Sequence, residues 1–219
     1  MSRLRIIIGT LLAAAIILFF IGATTFTDWL LFVQLGYEQI FVTSWVYRLG
    51  VGFGFGVVTF IVLALNIWLA KVLSPNIHFI SKSAELEQLI QKGRVYLDRY
   101  FALAAYTGSA VVATLVGISM AAFWEVWLKY FSYVSSGVKD PLFGKDVSFY
   151  FFILPAIEIV QSFLWFILLL ALGLAVIVHL IRGSFNIGQG LKAVYPKARI
   201  HLTVLGALVL GVLSVEWWV

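Results

Sequence analysis

Five apolar runs of roughly twenty residues each constrain this chain more than any other feature. A helix rises about 1.5 Å per residue, so about 20 apolar residues cross the hydrocarbon core of a bilayer. The runs extend from Ile6 to about Phe26, about Leu49 to Ala70, about Phe101 to Trp124, about Ile159 to Ile181 and about His201 to Val219. Lipid offers backbone amides no partner, so each run must close its own hydrogen bonds as a helix. With 63% hydrophobic and 11% charged residues, against about 45–50% and about 25% in soluble domains, the chain cannot be a soluble globular domain. The expected fold class is all-α: a polytopic membrane protein with five transmembrane helices in a single helical membrane domain over residues 1–219. The first run exceeds the core of about 7–15 residues of a secretory signal, and Ile21-Gly22-Ala23 is a poor cleavage site, so it reads as an uncleaved span.

Short cytoplasmic loops retain Lys and Arg, and that bias orients the chain. Threading the five spans puts eleven basic residues on one side, among them Arg3, Arg5, Lys71, Arg182, Lys197 and Arg199, with three acidic ones, net +8. The other side holds Arg48, Lys129, Lys139 and Lys145 with seven acidic residues, net −3. The N-terminus is therefore expected in the cytoplasm and the C-terminus outside. The overall charge of +5 serves topology and anionic headgroups, which removes nucleic acid as an expected partner. There is no cysteine, which excludes disulfides, iron–sulfur clusters, Cys-ligated zinc and a cysteine nucleophile.

Between the second and third spans, Ser83 reads as an N-cap, followed by Glu85 and Glu87 and later Lys92 and Arg94, in keeping with the helix dipole. A short helix at the membrane surface or against the bundle is expected there. The loop from Arg182 to Ile200 carries Gly183, Gly188, Gly190 and Pro196 and no acid, and reads as irregular. Outside, 28–47 is rich in aromatic rings of the kind found at headgroup level. The segment near 140–158 begins with a turn at Asp140-Pro141 and Gly144; its second half is apolar, lies between two prolines and is too short to span. It is expected to form an interfacial or re-entrant element.

Few residues carry chemistry. Asn66 lies about one turn from the inner end of span two, where an interhelical hydrogen bond or a place on a polar pathway would explain it. His179 and His201 fall at the inner ends of spans four and five and share a depth. A bis-histidine haem or a pigment magnesium would need that arrangement, whereas interfacial histidines commonly bond headgroups or carbonyls. No nucleophile–base set of Ser or Thr with His is legible. Gly50, Gly52, Gly54 and Gly56 lack the Lys-Ser/Thr of a phosphate loop; spaced by four, they make two small faces for close helix contact, which puts span two at the centre of the bundle. Asp140, Lys145 and Asp146 form the densest external charge cluster. With Pro141, Phe143, Gly144, Phe149, Tyr150 and Pro155 they make either a solvated turn or an external docking loop.

Two stretches are distinctive together. The first is Asp28-Trp29-Leu-Leu-Phe-Val-Gln-Leu-Gly36-Tyr37-Glu-Gln-Ile-Phe41, followed by a helix containing Asn66. The second is Asp140-Pro141-x-Phe143-Gly144-Lys145-Asp146-x-Ser148-Phe149-Tyr150-x-Phe152-x-Leu154-Pro155. Over essentially its whole length the chain resembles the amino-terminal membrane region of uncharacterised protein family 0182, large bacterial membrane proteins. The resemblance implies a plasma-membrane protein with further spans and a large extracellular domain; it implies no activity, substrate or cofactor, so no functional residue is carried over. Ending at Val215-Glu-Trp-Trp-Val219, the chain reads as a shortened homologue, a split gene product or a piece of a larger protein.

The expected function is that of a non-enzymatic module of the bacterial plasma membrane, without a cofactor. It would anchor or assemble with other membrane or extracytoplasmic subunits, and membrane lipids would be its other partners. The alternatives are a transporter or channel component, with a polar pathway near Asn66, and a haem- or pigment-binding subunit using His179 and His201. The topology has a direct check, since a cysteine-free chain accepts single reporter cysteines. In intact cells Lys139→Cys should react with an impermeant maleimide, and Lys192→Cys should react only after permeabilisation.

Overall fold

The computed structural model describes residues 2–75, 84–185 and 194–216. Its helices are α1 (Ser2–Gln34), α2 (Glu38–Leu73), α3 (Ala84–Ala121), α4 (Trp124–Phe131), α5 (Leu154–Ile181) and α6 (Pro196–Glu216), with a π-helical turn at Phe149–Ile153 leading into α5. Among the described residues extended pairing is limited to the isolated bridges Lys139 with Asp146 and Phe185 with Val194. Five helical segments are long and apolar enough to cross a membrane: Leu4–Gln34, Glu38–Leu73, Tyr100–Ala121, Phe149–Ile181 and Pro196–Ser214.

The chain divides into two compact units, residues 1–48 and 49–219. In the first, α1 ends where Gly36 takes a φ of +75°, a left-handed conformation open to glycine at little cost. Gly36 N–H then donates to Val33 C=O at 3.1 Å and Tyr37 N–H to Phe32 C=O at 2.8 Å, the paired bonds of a Schellman cap. The reversal brings Phe32 and Phe41 to 5.8 Å between ring centroids.

In the second unit α2, α3, α5 and α6 share a core. On α5 the residues Phe163, Ile167, Ala171, Ala175 and His179 recur every four positions and are all buried, as one helix face requires. Leu63 of α2, Ala171 and Ala175 of α5 and Leu205 of α6 form one buried cluster. Val116 of α3 packs with Phe163 and Ile167 of α5 in another. Phe55 closes the end of the core nearest α4, edge-on to Phe163 at 4.7 Å and tilted against Trp127 of α4 at 5.6 Å. The central position expected for span two is thus shared with α5, which touches α2, α3 and α6.

Of the four span-two glycines, Gly52 and Gly56 pack against α3. A Cβ at Gly52 would meet Gly117 O at 2.9 Å, one at Gly56 would meet Ala113 O at 3.2 Å, and one at Gly117 would meet Gly52 O at 2.6 Å. At Gly50 and Gly54 a Cβ would meet nothing within 4 Å. The partner face on α3 is itself a small-residue series, Ala113, Gly117 and Ala121, so two backbones approach closely along one seam.

Several boundaries differ from those expected. α1 and α2 run on into the aromatic external stretch, leaving only residues 35–37 between them. The separate surface helix after the second span is absent: residues 84–121 form one helix, because that stretch contains no proline and, before the apolar run, only Gly93 to weaken it. Ser83, its expected cap, lies outside the described residues, as do His78, Lys192, Trp217 and Trp218. The fourth span opens at Phe149 rather than near Ile159. Pro155 occupies the first turn of α5, directly after the π-helical turn at Phe149–Ile153, and its fixed φ suits a helix. The apolar half of the expected re-entrant segment is therefore the beginning of that span, and the non-helical part is confined to 132–146.

The glycine seam makes a contrast of substitutions informative. Gly117→Val should destabilise the bundle by about 1–3 kcal/mol through overpacking against the α2 backbone, whereas Gly54→Ala should stay within about 0.5 kcal/mol. Reversible unfolding of each variant in mixed micelles measures both.

Candidate functional site

The end of the second unit where α5 gives way to α6 gathers four buried polar side chains from three segments. α5 terminates at Gly183, whose φ is +68°. Gly183 N–H donates to Leu180 C=O at 3.0 Å and Ser184 N–H to His179 C=O at 2.9 Å, a second Schellman cap. That reversal folds Ser184 back over His179. Tyr195 N–H donates to Ser184 C=O at 2.8 Å and the Phe185–Val194 bridge lies beside it, so the chain entering α6 is tied to the end of α5.

His179 is fully buried, at 0% exposure, with Ser184 at 2% and Ser74 and His201 at 8%. Its Nδ1 lies 3.1 Å from Ser74 Oγ and 3.1 Å from Ser184 Oγ. Its Nε2 lies 3.2 Å from His201 Nδ1, with the rings edge to face at 5.5 Å. Ser74 Oγ donates to Ala70 C=O at 2.6 Å. Arg182 adds a bond from its guanidinium to Lys71 C=O at 3.2 Å. The C-terminal ends of α2 and α5 and the N-terminal turns of α6 are thus joined by side chains.

The two histidines that share a depth in the sequence therefore meet, but as partners of each other. Two imidazoles on opposite faces of a metal, each bonded at about 2.0–2.1 Å, would hold their nitrogens about 4 Å apart; here the facing nitrogens, His179 Nε2 and His201 Nδ1, lie at a hydrogen-bond distance of 3.2 Å. Among the described residues no group of three or more His, Asp or Glu side chains is placed to hold a metal ion. Ser74 and Ser184 were not legible as histidine partners. In hindsight Asn66, Ala70 and Ser74 repeat every four residues along the buried face of α2, and Gly183 marks the reversal that delivers Ser184.

Two turns deeper, Asn66 is buried and its Nδ2 donates to Ala171 C=O on α5 at 2.7 Å. Its Oδ1 is buried with no partner among the described residues. The amide therefore ties α2 to α5 with its donor and leaves one acceptor open.

At the opposite end the charge cluster organises a hairpin. Asp140 N–H donates to Lys145 C=O at 2.8 Å, Gly144 N–H to Asp140 C=O at 2.9 Å and Val147 N–H to Val138 C=O at 2.9 Å. Pro141 starts the turn and Gly144, at φ +66°, completes it. The Asp140 carboxylate accepts from the Leu142 and Phe143 amides at 3.2 and 3.0 Å and from the Tyr150 hydroxyl at 2.8 Å. The Asp146 carboxylate accepts from the Ser135 hydroxyl, from Ser136 Oγ at 2.7 Å and from Ser148 N–H at 2.8 Å. The hydroxyl of Tyr150 and then the two amides lower the pKa of Asp140; those of Ser135 and Ser136, then the Ser148 amide, hold Asp146 far below the usual carboxylate range. Lys145 places its ammonium 4.1 Å from the centre of the Phe149 ring. Both carboxylates thus act as turn-fixing acceptors, and Leu142 and Phe143 are left exposed at the tip, at 85% and 75%.

A family model described as Uncharacterised protein family (UPF0182) matches residues 5–219. The chain belongs to this family. A UPF0182 protein of Geobacter sp. strain M21 is 34% identical over 90% of the chain and 22% of its own length. One from Streptomyces coelicolor is 31% identical over 99% of the chain and 22% of its own length, and one from Desulforamulus reducens 30% over 94% and 24%. The chain spans about a fifth of the length of the curated relatives it matches. No solved structure matches it.

The hairpin carries a pH prediction. A carboxylate held below its ordinary pKa contributes order that is complete above that value, 3.8 for aspartate, and is lost as pH falls through the lowered one. The amide resonances of Ser136, Gly137 and Ser148 should stay fixed down to about pH 4 and move only in stronger acid; Asp146→Asn should move them at neutral pH.

Proposed function

We propose that the chain is a non-enzymatic helical module of the bacterial plasma membrane, N-terminus in the cytoplasm and C-terminus outside, that anchors or assembles with other membrane or extracytoplasmic protein. The observation that carries this reading is the match in length: the same membrane region makes up about a fifth of each family relative, so in those proteins it is joined to a much larger mass. Two features of the fold support it. The described polar side chains near the centre of the spans bond other helices or their own backbone, as Asn66 does to Ala171 and Thr59 to Phe55. The outer hairpin is fixed by two carboxylates yet carries exposed Leu142 and Phe143, which suits a rigid contact surface for protein on that side. Anionic lipid headgroups are the partners that the basic residues of the inner side favour.

A transport or channel component is the second reading, favoured by the open acceptor Asn66 Oδ1; it requires Asn66 to face water, whereas the bond from Nδ2 to a neighbouring helix favours packing. Native mass spectrometry of the chain extracted from its own membranes in mild detergent tests the proposal. A defined co-migrating polypeptide is expected, lost at least tenfold, equivalent to about 1.4 kcal/mol, when Leu142 and Phe143 are both replaced by Asp. A lone chain or homo-oligomer of intact mass overturns the assembly reading and makes ion or solute flux in proteoliposomes the next measurement.

A further inference from the structure

The buried network at the α5–α6 end can be resolved hydrogen by hydrogen. In its neutral form it has four hydrogens to place: one on each imidazole and one on each hydroxyl. Ser74 Oγ lies only 2.6 Å from Ala70 C=O, and two oxygens approach that closely only with a hydrogen between them, so the Ser74 hydrogen is committed there. Ser74 Oγ must then accept from His179 Nδ1, 3.1 Å away, which places the His179 hydrogen on Nδ1. The same N–H points between two acceptors, since Ser184 Oγ is also at 3.1 Å, and Ser184 donates to Ser74 Oγ at 3.4 Å. His179 Nε2 is consequently bare and must accept from His201 Nδ1, 3.2 Å away. All four hydrogens are used, and His201 Nε2 is left as the one nitrogen with an uncommitted lone pair. The opposite tautomer is the poorer arrangement: Ser184 could donate to a bare His179 Nδ1 at 3.1 Å, but that lone pair would also face Ser74 Oγ at 3.1 Å with no hydrogen between them, because the Ser74 hydrogen is on Ala70 C=O.

We propose that Ser74, Ser184, His179 and His201 form a proton-binding site, in which both imidazoles are Nδ1–H tautomers and His201 Nε2 takes up a single proton that the histidine pair then shares. Uptake at Nε2 makes His201 an imidazolium whose Nδ1–H still donates to His179 Nε2, so every bond of the network survives. Moving that Nδ1 hydrogen across to His179 Nε2 transfers the charge inward, and His179 keeps its Nδ1–H on the two hydroxyls. A second proton has no such place, because it would set N–H against N–H across 3.2 Å and part α5 from α6. Among the described side chains, the other ionisable groups at this end are Lys71 on α2, Arg182 after α5, and Tyr195, Lys197 and Arg199 at the start of α6, with Tyr100 and Tyr106 on α3. No carboxylate occurs in 66–83 or 182–201, so nothing in these segments offers the pair a counter-charge that would admit two protons. The site fastens three helix ends with zero or one proton and releases them with two, and this holds independently of the anchoring reading.

The test is ¹⁵N spectroscopy of imidazole-labelled full chain in lipid nanodiscs, with His78→Gln, outside the network, to leave two rings. At neutral pH both remaining rings should show a protonated Nδ1 and a bare Nε2, the reverse of the tautomer that free histidine prefers. On acidification the His201 Nε2 resonance should move first to the protonated position, while scalar coupling between His201 Nδ1 and His179 Nε2 persists; His179 Nε2 should follow in a separate step that abolishes the coupling. An Nε2–H tautomer on either ring at neutral pH overturns the proposal, as does simultaneous, uncoupled protonation of both rings.

Discussion

Within the hydrocarbon of a bilayer a polar group can bond only to protein, and this restriction governs the second unit of the chain. Backbone groups satisfy it as helices. Side chains satisfy it by crossing from one helix to another, as Asn66 does to the Ala171 carbonyl, or by doubling back onto their own helix, as Thr59 and Ser109 do. The bonds that cross helices lie on the faces of α2, α5 and α6 that also carry the buried apolar residues, so one seam serves packing and polar satisfaction together. Apolar packing alone discriminates poorly between helix pairs in lipid, where tails are as apolar as leucine; the polar bonds and the glycine contacts supply what it lacks.

The glycine contacts act on a different pair of helices. Gly52 of α2 meets Gly117 of α3 at distances that leave no room for a Cβ, and Gly56 meets Ala113 almost as tightly. α2 is thereby held on one side by backbone proximity and on another by the Asn66 bond to α5. α5 carries Pro155 in its first turn, after the π-helical turn at Phe149–Ile153, and Gly183 in the left-handed region just past its last. The latter creates the histidine site, since without the reversal Ser184 would not lie over His179.

The spans were legible because apolar runs of this length have few alternatives in water or lipid. Their ends were less so. Aromatic and charged residues near the headgroups do not stop a helix, so α1, α2 and α3 run past the points where hydrophobicity falls, and Pro155 signals a start as readily as a stop. Asn66, His179 and His201 stood out as polar residues in apolar surroundings, and the structure gives each of them an interhelical bond. Their partners were hidden for a simple reason: Ser74 and Ser184 are ordinary loop-border residues in sequence, 110 positions apart, and only the stacking of α2 against α5 brings them together. The α3 face of Ala113, Gly117 and Ala121 was equally present in the chain, but a small-residue series names no partner until a second series is found opposite. The hairpin carboxylates looked like a charge cluster, and became turn acceptors once Ser135, Ser136 and Ser148 were folded around Asp146.

A bundle whose helices are tied by polar side chains, with a hairpin fixed by two carboxylates, suits the proposed role of a membrane anchor, and the histidine network would add proton sensitivity at one end of it. Both depend on α2 and α5 being joined as described. The direct measurement is a dipolar distance by solid-state NMR between ¹⁵N in the Asn66 side-chain amide and ¹³C in the Ala171 carbonyl, recorded on the chain in lipid bilayers. Strong dipolar coupling, matching the 2.7 Å between Nδ2 and the carbonyl oxygen, with slow exchange of the amide hydrogens is the predicted result. No coupling, with an Asn66 amide that exchanges freely with water, would contradict the account.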